Sequence, residues 1–526
     1  MFGHVLTRPW DRIGRVRTSR GWWAISGVVA GALGLAVSYV VAGLLHVRES
    51  PVVAVSEGVV KLTPGVVVEW AIDHFQHNDK LVFTIGMFVL LTVVFGLIGW
   101  QARRRWWLAV SAYVVLAAIG GYAVYVKPGG TGAEQVPVVV GLLGWVVAMA
   151  VLAEWLRRWE LIEASDEPSD EPTHSRRWFF TALGVTAGVA AAGWGLGRIT
   201  TSGRRRVEET RRLLRLDKVT DAPVPKGVEI GVDGVAPWQT PSSTFYLIDT
   251  AFTKPTIEPK DWTLRIHGMV DREITLTYDD LVSREITQDW ITLNCVSNPV
   301  GGDLVGNAWW SGVRLAAILA EAGPQEGADA VLQTSDDGWT CGTPLAALTD
   351  DRNAMLAVAM NGEPLPVEHG FPVRTIVPGL YGYVSACKWV VDMEVTRYSD
   401  FTAYWTSKGW SEQGPVKMAS RIDVPGDGGR VDAGAVVFAG AAWEQHTGIE
   451  RVEISVDGGA WAEADLARVP NDDTWVQWRV EMDVEAGDHQ VKVRAVDKSG
   501  QIQTGVQADV VPNGATGWHT IGFTAS

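Results

Sequence analysis

The hydrophobic rhythm of the chain changes twice. In the first two hundred residues, unbroken apolar runs occupy 22–45, 81–100, 106–126, 138–156 and 178–196, and none carries a charge except Glu154, near an end. Each has roughly the 20 residues needed to span a 30 Å hydrocarbon layer. Trp22, Trp23, Trp100, Trp106, Trp107, Trp155 and Trp178 sit at the run ends, where amphipathic rings anchor at headgroup depth. The pattern predicts five transmembrane helices within residues 1–200, joined by loops that include an unusually apolar one at 50–79.

A charged stretch from 198, followed by Pro and Gly up to 237, reads as a helical stalk and linker (201–236). Residues 262–267 and 273–277 then alternate apolar and polar, and 289–293 runs into Cys295, which predicts short strands. Residues 312–322 read as a short helix with Val313, Leu315, Ile318 and Leu319 on one face. This mixture predicts an α+β domain over 237–424. Beyond it the pattern is strand throughout, at 435–442, 449–456, 475–482 and 490–496, with a turn at Asp457-Gly458-Gly459. About a hundred such residues (425–526) suit an immunoglobulin-like β-sandwich. The expected architecture is therefore multidomain: an all-α transmembrane bundle, an α+β domain and a sandwich.

Charge refines this picture. The net charge is −15, but the balance is 17 Lys and Arg against 14 Asp and Glu up to Arg198, and 21 against 43 from Thr220 onward. An acidic globular part without a basic stripe repels phosphate backbones, so no nucleic-acid partner is expected. Arginines cluster before the first run (Arg8, Arg12, Arg15, Arg17, Arg20), between the second and third (Arg103, Arg104, Arg105) and between the fourth and fifth (Arg157, Arg158, Arg176, Arg177). The positive-inside rule then places the amino terminus in the cytoplasm and everything after the fifth helix outside a cytoplasmic membrane. Arg204, Arg205, Arg206, Arg211, Arg212 and Arg215 run against that rule. Ser175-Arg176-Arg177-Trp178-Phe179-Phe180 resembles a twin-arginine export signal, a route for proteins folded around a cofactor, and the same arginines also satisfy the positive-inside rule.

Histidines are absent from the centres of the apolar runs; His46, His74 and His77 fall in the long loop between the first and second runs. A haem between the helices is not expected, and anchoring in membrane lipid is the simpler role. Three cysteines, without a CxxC pair, build neither a disulfide framework nor a zinc site. Cys295 stands apart, because a strand end followed by a Gly-rich turn (Leu293-Asn294-Cys295-Val296-Ser297-Asn298-Pro299-Val300-Gly301-Gly302-Asp303) presents a side chain to a site. One thiolate cannot hold a metal alone, so the remaining ligands would come from a cofactor.

The chain from about Thr240 onward resembles the sulfite-oxidase-type molybdopterin enzymes, which include bacterial periplasmic methionine sulfoxide reductases. The resemblance is carried by Thr240-Pro241 with Phe245-Tyr246, by Cys295-Val296-Ser297-Asn298 and by Trp310-Ser311-Gly312-Val313-Arg314-Leu315. It continues in Met360-Asn361-Gly362-Glu363-Pro364-Leu365-Pro366, His369-Gly370-Phe371-Pro372-Val373-Arg374, Val377-Pro378-Gly379, Gly382 and Lys388-Trp389. The sandwich resembles the family's dimerisation domain around Val456-Asp457-Gly458-Gly459 and Trp518-His519, which makes a homodimer one expected assembly.

The resemblance implies a Mo-molybdopterin cofactor with Cys295 as catalytic residue and metal thiolate. It also implies that Tyr246, Asn298, Ser335, His369, Arg374, Ser385 and Lys388 hold the pterin and its phosphate. Two departures bear on substrate. Sulfite-oxidising members carry an arginine just after the Phe/Tyr pair, where this chain reads Leu247-Ile248-Asp249, and the active-site tyrosine of animal sulfite oxidases aligns near Trp410. Without a CxxCH or a cytochrome domain, electrons are expected to pass through a separate quinone or cytochrome partner. The implied function is oxygen-atom transfer outside the cytoplasmic membrane, on a small or protein-borne substrate. The alternatives are sulfoxide or methionine sulfoxide reduction in exported proteins, and a non-catalytic anchored binding module.

Overall fold

The computed structural model describes residues 19–526 except 46–50, 65–66, 68–78, 127–131, 164–170, 201–202, 222–223 and 252. Arg8, Arg12, Arg15, Arg17, His46, His74 and His77 lie outside the described residues. The chain forms two compact units, one of residues 1–206 with 251–253, the other of 207–250 with 254–526.

In the first unit the described helices are α1 (Ser19–Leu44), α2 (Pro51–Leu62), α3 (Asp79–Ala102), α4 (Trp106–Tyr125), α5 (Val136–Glu163) and α6 (Glu171–Thr200). All but α2 are long and apolar enough to cross a membrane. Helix α2 replaces part of what the apolar pattern left as a loop. Pro51 starts it with a pre-set φ and no N–H to satisfy, and Ala54, Ser56 and Glu57 are buried. Helix α1 packs on α3 at Gly27 and Gly99, where a Cβ on either residue would meet the other helix's backbone at 2.2 Å. Small residues thus let the two backbones touch, the usual device where lipid removes the hydrophobic drive for association. Trp23 Nε1 donates to Glu160 at 2.7 Å, Arg103 reaches the same carboxylate at 3.2 Å, and Arg157 lies over the rings of Trp23 and Trp106. These residues belong to the starts of α1 and α4, the end of α5 and the turn after α3. The arginine-rich ends therefore gather at one end of the unit.

The second unit begins at Val207, a buried residue of α7 (Gly203–Leu213) that joins a core with Phe245, Leu293 and Trp310. Its strands are β1 (Thr263–Gly268), β2 (Ile274–Thr277), β3 (Thr287–Asn294), β4 (Val305–Arg314), β5 (Ala330–Ser335), β6 (Thr340–Pro344), β7 (Met355–Met360), β8 (Glu363–Pro364), β9 (Arg374–Ile376) and β10 (Val390–Thr396). They form one sheet in the order β2-β1-β10-β5-β6, with β1 parallel to β10. A second sheet runs β3-β4-β7-β8, and β9 pairs with β7. The helix expected over 312–322 starts only at Leu315 (Leu315–Ala322). Gly312 still belongs to β4, where a Cβ would stand 2.2 Å from the Leu356 carbonyl oxygen, so strand pairing overrides the helical pattern there.

The C-terminal part takes up the chain at Ala419, six residues before the boundary expected from the pattern, because Ala419–Val424 pairs with Gly434–Trp443. Those two strands join Val476–Val484 and Asp465–Leu466 in a four-stranded sheet. Gly429–Val431, His519–Ala525, Gly487–Asp497, Ile449–Val456 and Ala462–Glu463 form a five-stranded one. Both sheets feed a single apolar core containing Phe438, Trp478, Ile454, Val491 and Phe523. The turn between two of these strands has Asp457 and Gly458 at φ 51° and 72°, as its composition predicts.

Candidate active site

Strands β3 and β4 form a hairpin whose ladder ends at the Asn294–Val305 pair and is prolonged by Cys295 N–H donating to the Leu304 carbonyl at 2.9 Å. The loop between them is tied internally. Asn298 N–H donates to the Cys295 carbonyl at 3.0 Å, and Leu304 N–H donates to Asn298 Oδ1 at 2.9 Å. Cys295 is 7% exposed and opens into a cleft. Burial pushes its thiol pKa up, while hydrogen bonds from Ser297 and the charge of Lys388 favour the thiolate.

Tyr246, Cys295, Ser335, Arg374 and Lys388 all line this cleft, although 142 positions separate the first from the last. Strand β9 delivers Arg374, the end of β5 delivers Ser335, and the residues before β10 deliver Lys388. Phe245 stacks on Tyr246 at 5.2 Å and meets the rings of Trp310 and His369 edge-on, which fixes the tyrosine against the core. Burial and the nearby Cys295 push the Tyr246 phenol upward, so it stays protonated.

The remaining three stand behind the wall. Asn298 spends its side-chain oxygen on its own loop. The Ser385 hydroxyl donates to the Leu380 and Tyr381 carbonyls, at 3.1 and 2.9 Å, and does not line the cleft. His369 is 3% exposed; its Nε2 meets the Ser242 carbonyl at 3.0 Å, and its Nδ1 has no hydrogen-bond partner. Burial and the charges of Lys388 and Arg374 push it down to about 3, so the ring is neutral. With Nε2 as the donor, Nδ1 is a bare acceptor.

Arg374 is the electrostatic centre of the site. It is 4% exposed, donates to the His369 carbonyl at 3.1 Å and lies over the Trp310 ring at 5.2 Å. Among the described residues no carboxylate lies within ion-pair distance of it. Burial pulls its pKa down to about 10, and a guanidinium in that setting favours an anion beside it. The hydroxyl of Ser335, 2% exposed, is likewise without a partner. Lys388 is paired instead, donating to Asp249 at 3.0 Å, and Asp249 also receives Lys254.

Sequence reasoning missed Asp249, Ser297, Asp337 and Trp339, all of which line the cleft. Asp249 lay in plain view beside Leu247 and Ile248, but its acid character became informative only once Lys254 and Lys388 were placed around it.

A buried guanidinium with no carboxylate beside it, an unpaired serine hydroxyl and a thiol on one cleft, with an accepting imidazole behind its wall, fit a group that carries a phosphate, hydrogen-bonding edges and a thiolate-binding metal. Residues 251–405 match the oxidoreductase molybdopterin binding domain. An uncharacterized oxidoreductase of Bacillus subtilis strain 168, YuiH, is 31% identical over 180 residues, which cover 34% of this chain and 87% of that protein. Mitochondrial sulfite oxidase of Homo sapiens is 29% identical over 306 residues, covering 49% of this chain and 56% of that one, so the chain spans about half the length of such relatives. Among solved structures, the sulfane dehydrogenase SoxCD from Paracoccus pantotrophus aligns with a TM-score of 0.47 and 23% identity, over 55% of this chain and 81% of that chain. The site belongs to a molybdopterin-binding oxidoreductase, an enzyme with Mo-molybdopterin as its cofactor. The chain is a member of the sulfite-oxidase-type molybdopterin oxidoreductase family.

Proposed function

We propose that the protein is a multi-pass enzyme of the cytoplasmic membrane whose cleft faces outward and catalyses oxygen-atom transfer on a small or protein-borne substrate. The observation that carries the chemistry is Arg374, a buried cation without a counter-ion among the described residues, on the same cleft as the Cys295 thiol. In this reading Arg374 and Lys388 hold the phosphate, Ser335 and His369 Nδ1 take hydrogen bonds from the pterin region, and Cys295 binds the metal. The cofactor, when bound, supplies a metal that exchanges oxygen and two electrons with substrate. The chain's own part is to orient and to exclude water. Tyr246 stays a neutral donor beside Cys295, His369 stays neutral, and Trp339, Trp389, Trp405 and Trp410 wall the approach. Electrons pass to or from a separate quinone or cytochrome, and the two-sheet C-terminal part is an immunoglobulin-like domain of the dimerisation type.

Five helices of spanning length and one arginine-rich end support the membrane assignment. Molybdenum analysis of the full chain, purified from cells that make the cofactor, tests the reading; about one metal per chain is expected, and none would defeat it. Reporter fusions at 159–163 and after Pro237 test the topology, with cytoplasmic and outer signals expected respectively.

A second reading, reduction of sulfoxides, is favoured by the mouth of the cleft. Ile248 lines it where sulfite-oxidising relatives carry a cation, and the nearby Lys388 and Lys254 are both engaged by Asp249.

A further inference from the structure

The loop that carries Cys295 is held from two sides, and the second side is the C-terminal β domain. Arg421, on the strand Ala419–Val424, is 8% exposed and donates through Nη1 to the Gly302 carbonyl at 3.0 Å. Its other nitrogens grip Asp423 at 2.6 and 3.3 Å, and its plane lies over Trp475 at 5.9 Å. The guanidinium is therefore fixed before it reaches the loop. His519, the first residue of the last strand, faces the neighbouring loop residue. Its Nδ1 accepts from Ile422 N–H at 3.0 Å, so the ring proton sits on Nε2, on the side of Gly301. The fit there is tight: Gly301 has φ +78°, and a Cβ on it would stand 2.2 Å from His519 Cδ2 and Nε2. Burial and the adjacent Arg421 keep that imidazole neutral.

We infer that Arg421 and His519 are positioning residues, through which the C-terminal β domain sets where the Cys295 sulfur stands. The inference rests on the reading of Cys295 as the metal's thiolate. The physical route is short. The hairpin fixes Cys295 through its backbone, but the peptide run 299–303 closes the loop, and the tie from Asn298 to Leu304 transmits a displacement of Gly302 to the Cys295 carbonyl partner. Losing a grip of this kind shifts a reacting group by fractions of an ångström, and misplacements near 1 Å cost on the order of a hundredfold in rate. The β domain would then be part of the catalytic unit as well as an assembly module.

The test uses the full chain with Arg421→Ala, Arg421→Lys and Gly301→Ala, the last straining the loop at a positive φ and crowding the His519 ring without touching Arg421. In the loaded enzyme, Arg421→Ala and Gly301→Ala are expected to alter the Mo(V) paramagnetic resonance spectrum and lower kcat roughly tenfold or more with little change in KM, and Arg421→Lys to recover part of both. In chain made without cofactor, iodoacetamide labelling mapped to peptides is expected to speed up at Cys295 and to stay unchanged at the fully buried Cys341 and Cys387. An unchanged spectrum with unchanged Cys295 labelling in both Arg421→Ala and Gly301→Ala overturns the inference. So does equal acceleration at all three cysteines, which would report general loosening. If wild-type chain carried no molybdenum, the thiolate assignment would fail, and the labelling arm would still judge the clamp.

Discussion

The Asp249 carboxylate accepts from Lys388 at 3.0 Å while Lys254 holds both of its oxygens, so one acid ties two ammonium groups together at the wall of the cleft. The aspartate is nearly buried, with 8% side-chain exposure, and so is Lys388 at 10%. Burial pulls Lys388 down to about 8, and Asp249 opposes that fall. Without cofactor the ammonium is therefore present below about pH 8 and is lost as pH rises through it. A bound phosphate favours the charged form, so cofactor binding takes up a proton above that pH. Loading of cofactor-free chain should weaken above about pH 8, by up to about tenfold per pH unit while that one proton is linked. Asp249→Asn removes the group that holds the pKa up and should move the onset to lower pH. Bound molybdenum after loading across about pH 6 to 10, on both sides of the Lys388 transition, reads both effects; a flat profile in the wild type would refute the role of Lys388.

Arg374 gives a prediction with opposite signs in two states. Without cofactor, the guanidinium is a buried charge with no carboxylate at ion-pair distance among the described residues, and replacing it by an apolar side chain of similar reach removes the cost of its desolvation. Arg374→Met should therefore leave the cofactor-free chain at least as stable as wild type in thermal unfolding. The same variant should lose most of its molybdenum on purification, because the phosphate loses its partner. A variant that unfolds early and yet retains metal would reverse both expectations.

Cys295→Ser should abolish turnover and leave the hairpin intact, since the backbone bonds to Leu304 and Asn298 do not involve sulfur. A hydroxyl is a hard and poorly acidic replacement for a thiolate. Circular dichroism and molybdenum content together separate loss of chemistry from loss of fold. Wild-type rates in this variant, with any accepted substrate, would remove Cys295 from the mechanism.

The arginine pair at the start of α6 separates two export explanations. Arg176→Lys with Arg177→Lys preserves charge, so the positive-inside rule predicts unchanged topology. A twin-arginine signal predicts that the cleft-bearing unit stays in the cytoplasm. Reporter fusions after Pro237 decide; delivery at the wild-type level would leave charge alone as the explanation.

The parts of the molecule legible in sequence are those set by local pattern. The five apolar runs become α1 and α3–α6 because length and composition decide such helices without tertiary help. The strand ending at Cys295 and the Asp457-Gly458 turn are local in the same sense. Helix α2 was missed because an apolar segment of twelve residues lies between the lengths typical of a loop and of a span. Gly312 was read as helical because its close approach to Leu356 is a tertiary fact. In the site, the family resemblance pointed to Arg374 and Lys388, and their charge suits a phosphate. Resemblance and charge could not show that Ser385 turns to backbone carbonyls, or that Asp249 already occupies Lys388. The first is settled by the local turn 380–385, and the second joins segments 139 residues apart.

Substrate charge is the last expectation. With a cofactor phosphate engaging Arg374 and Lys388, the cations of the cleft are spent, Asp249 is held by Lys254 and Lys388, and Asp337 remains at the wall. Leu247 and Ile248 are 49% and 45% exposed, two large apolar side chains where a dianion would need a cation. Trp339, Trp405 and Trp410 add apolar surface suited to a thioether or sulfoxide. A sulfite dianion therefore meets net repulsion, whereas a neutral sulfoxide loses little on entry. Loaded enzyme assayed with artificial electron carriers should turn over methionine sulfoxide or a small neutral oxide faster than it oxidises sulfite. Ile248→Arg should narrow the gap by lowering KM for sulfite roughly tenfold, the effect of one well-placed charge worth about 1.4 kcal/mol. The gain should shrink as salt rises, because a charge at a solvent-exposed position is screened over about 10 Å at 0.1 M. Efficient sulfite oxidation by the wild type, well above the rate for any neutral oxide, would show that the acidic and apolar mouth does not select substrate.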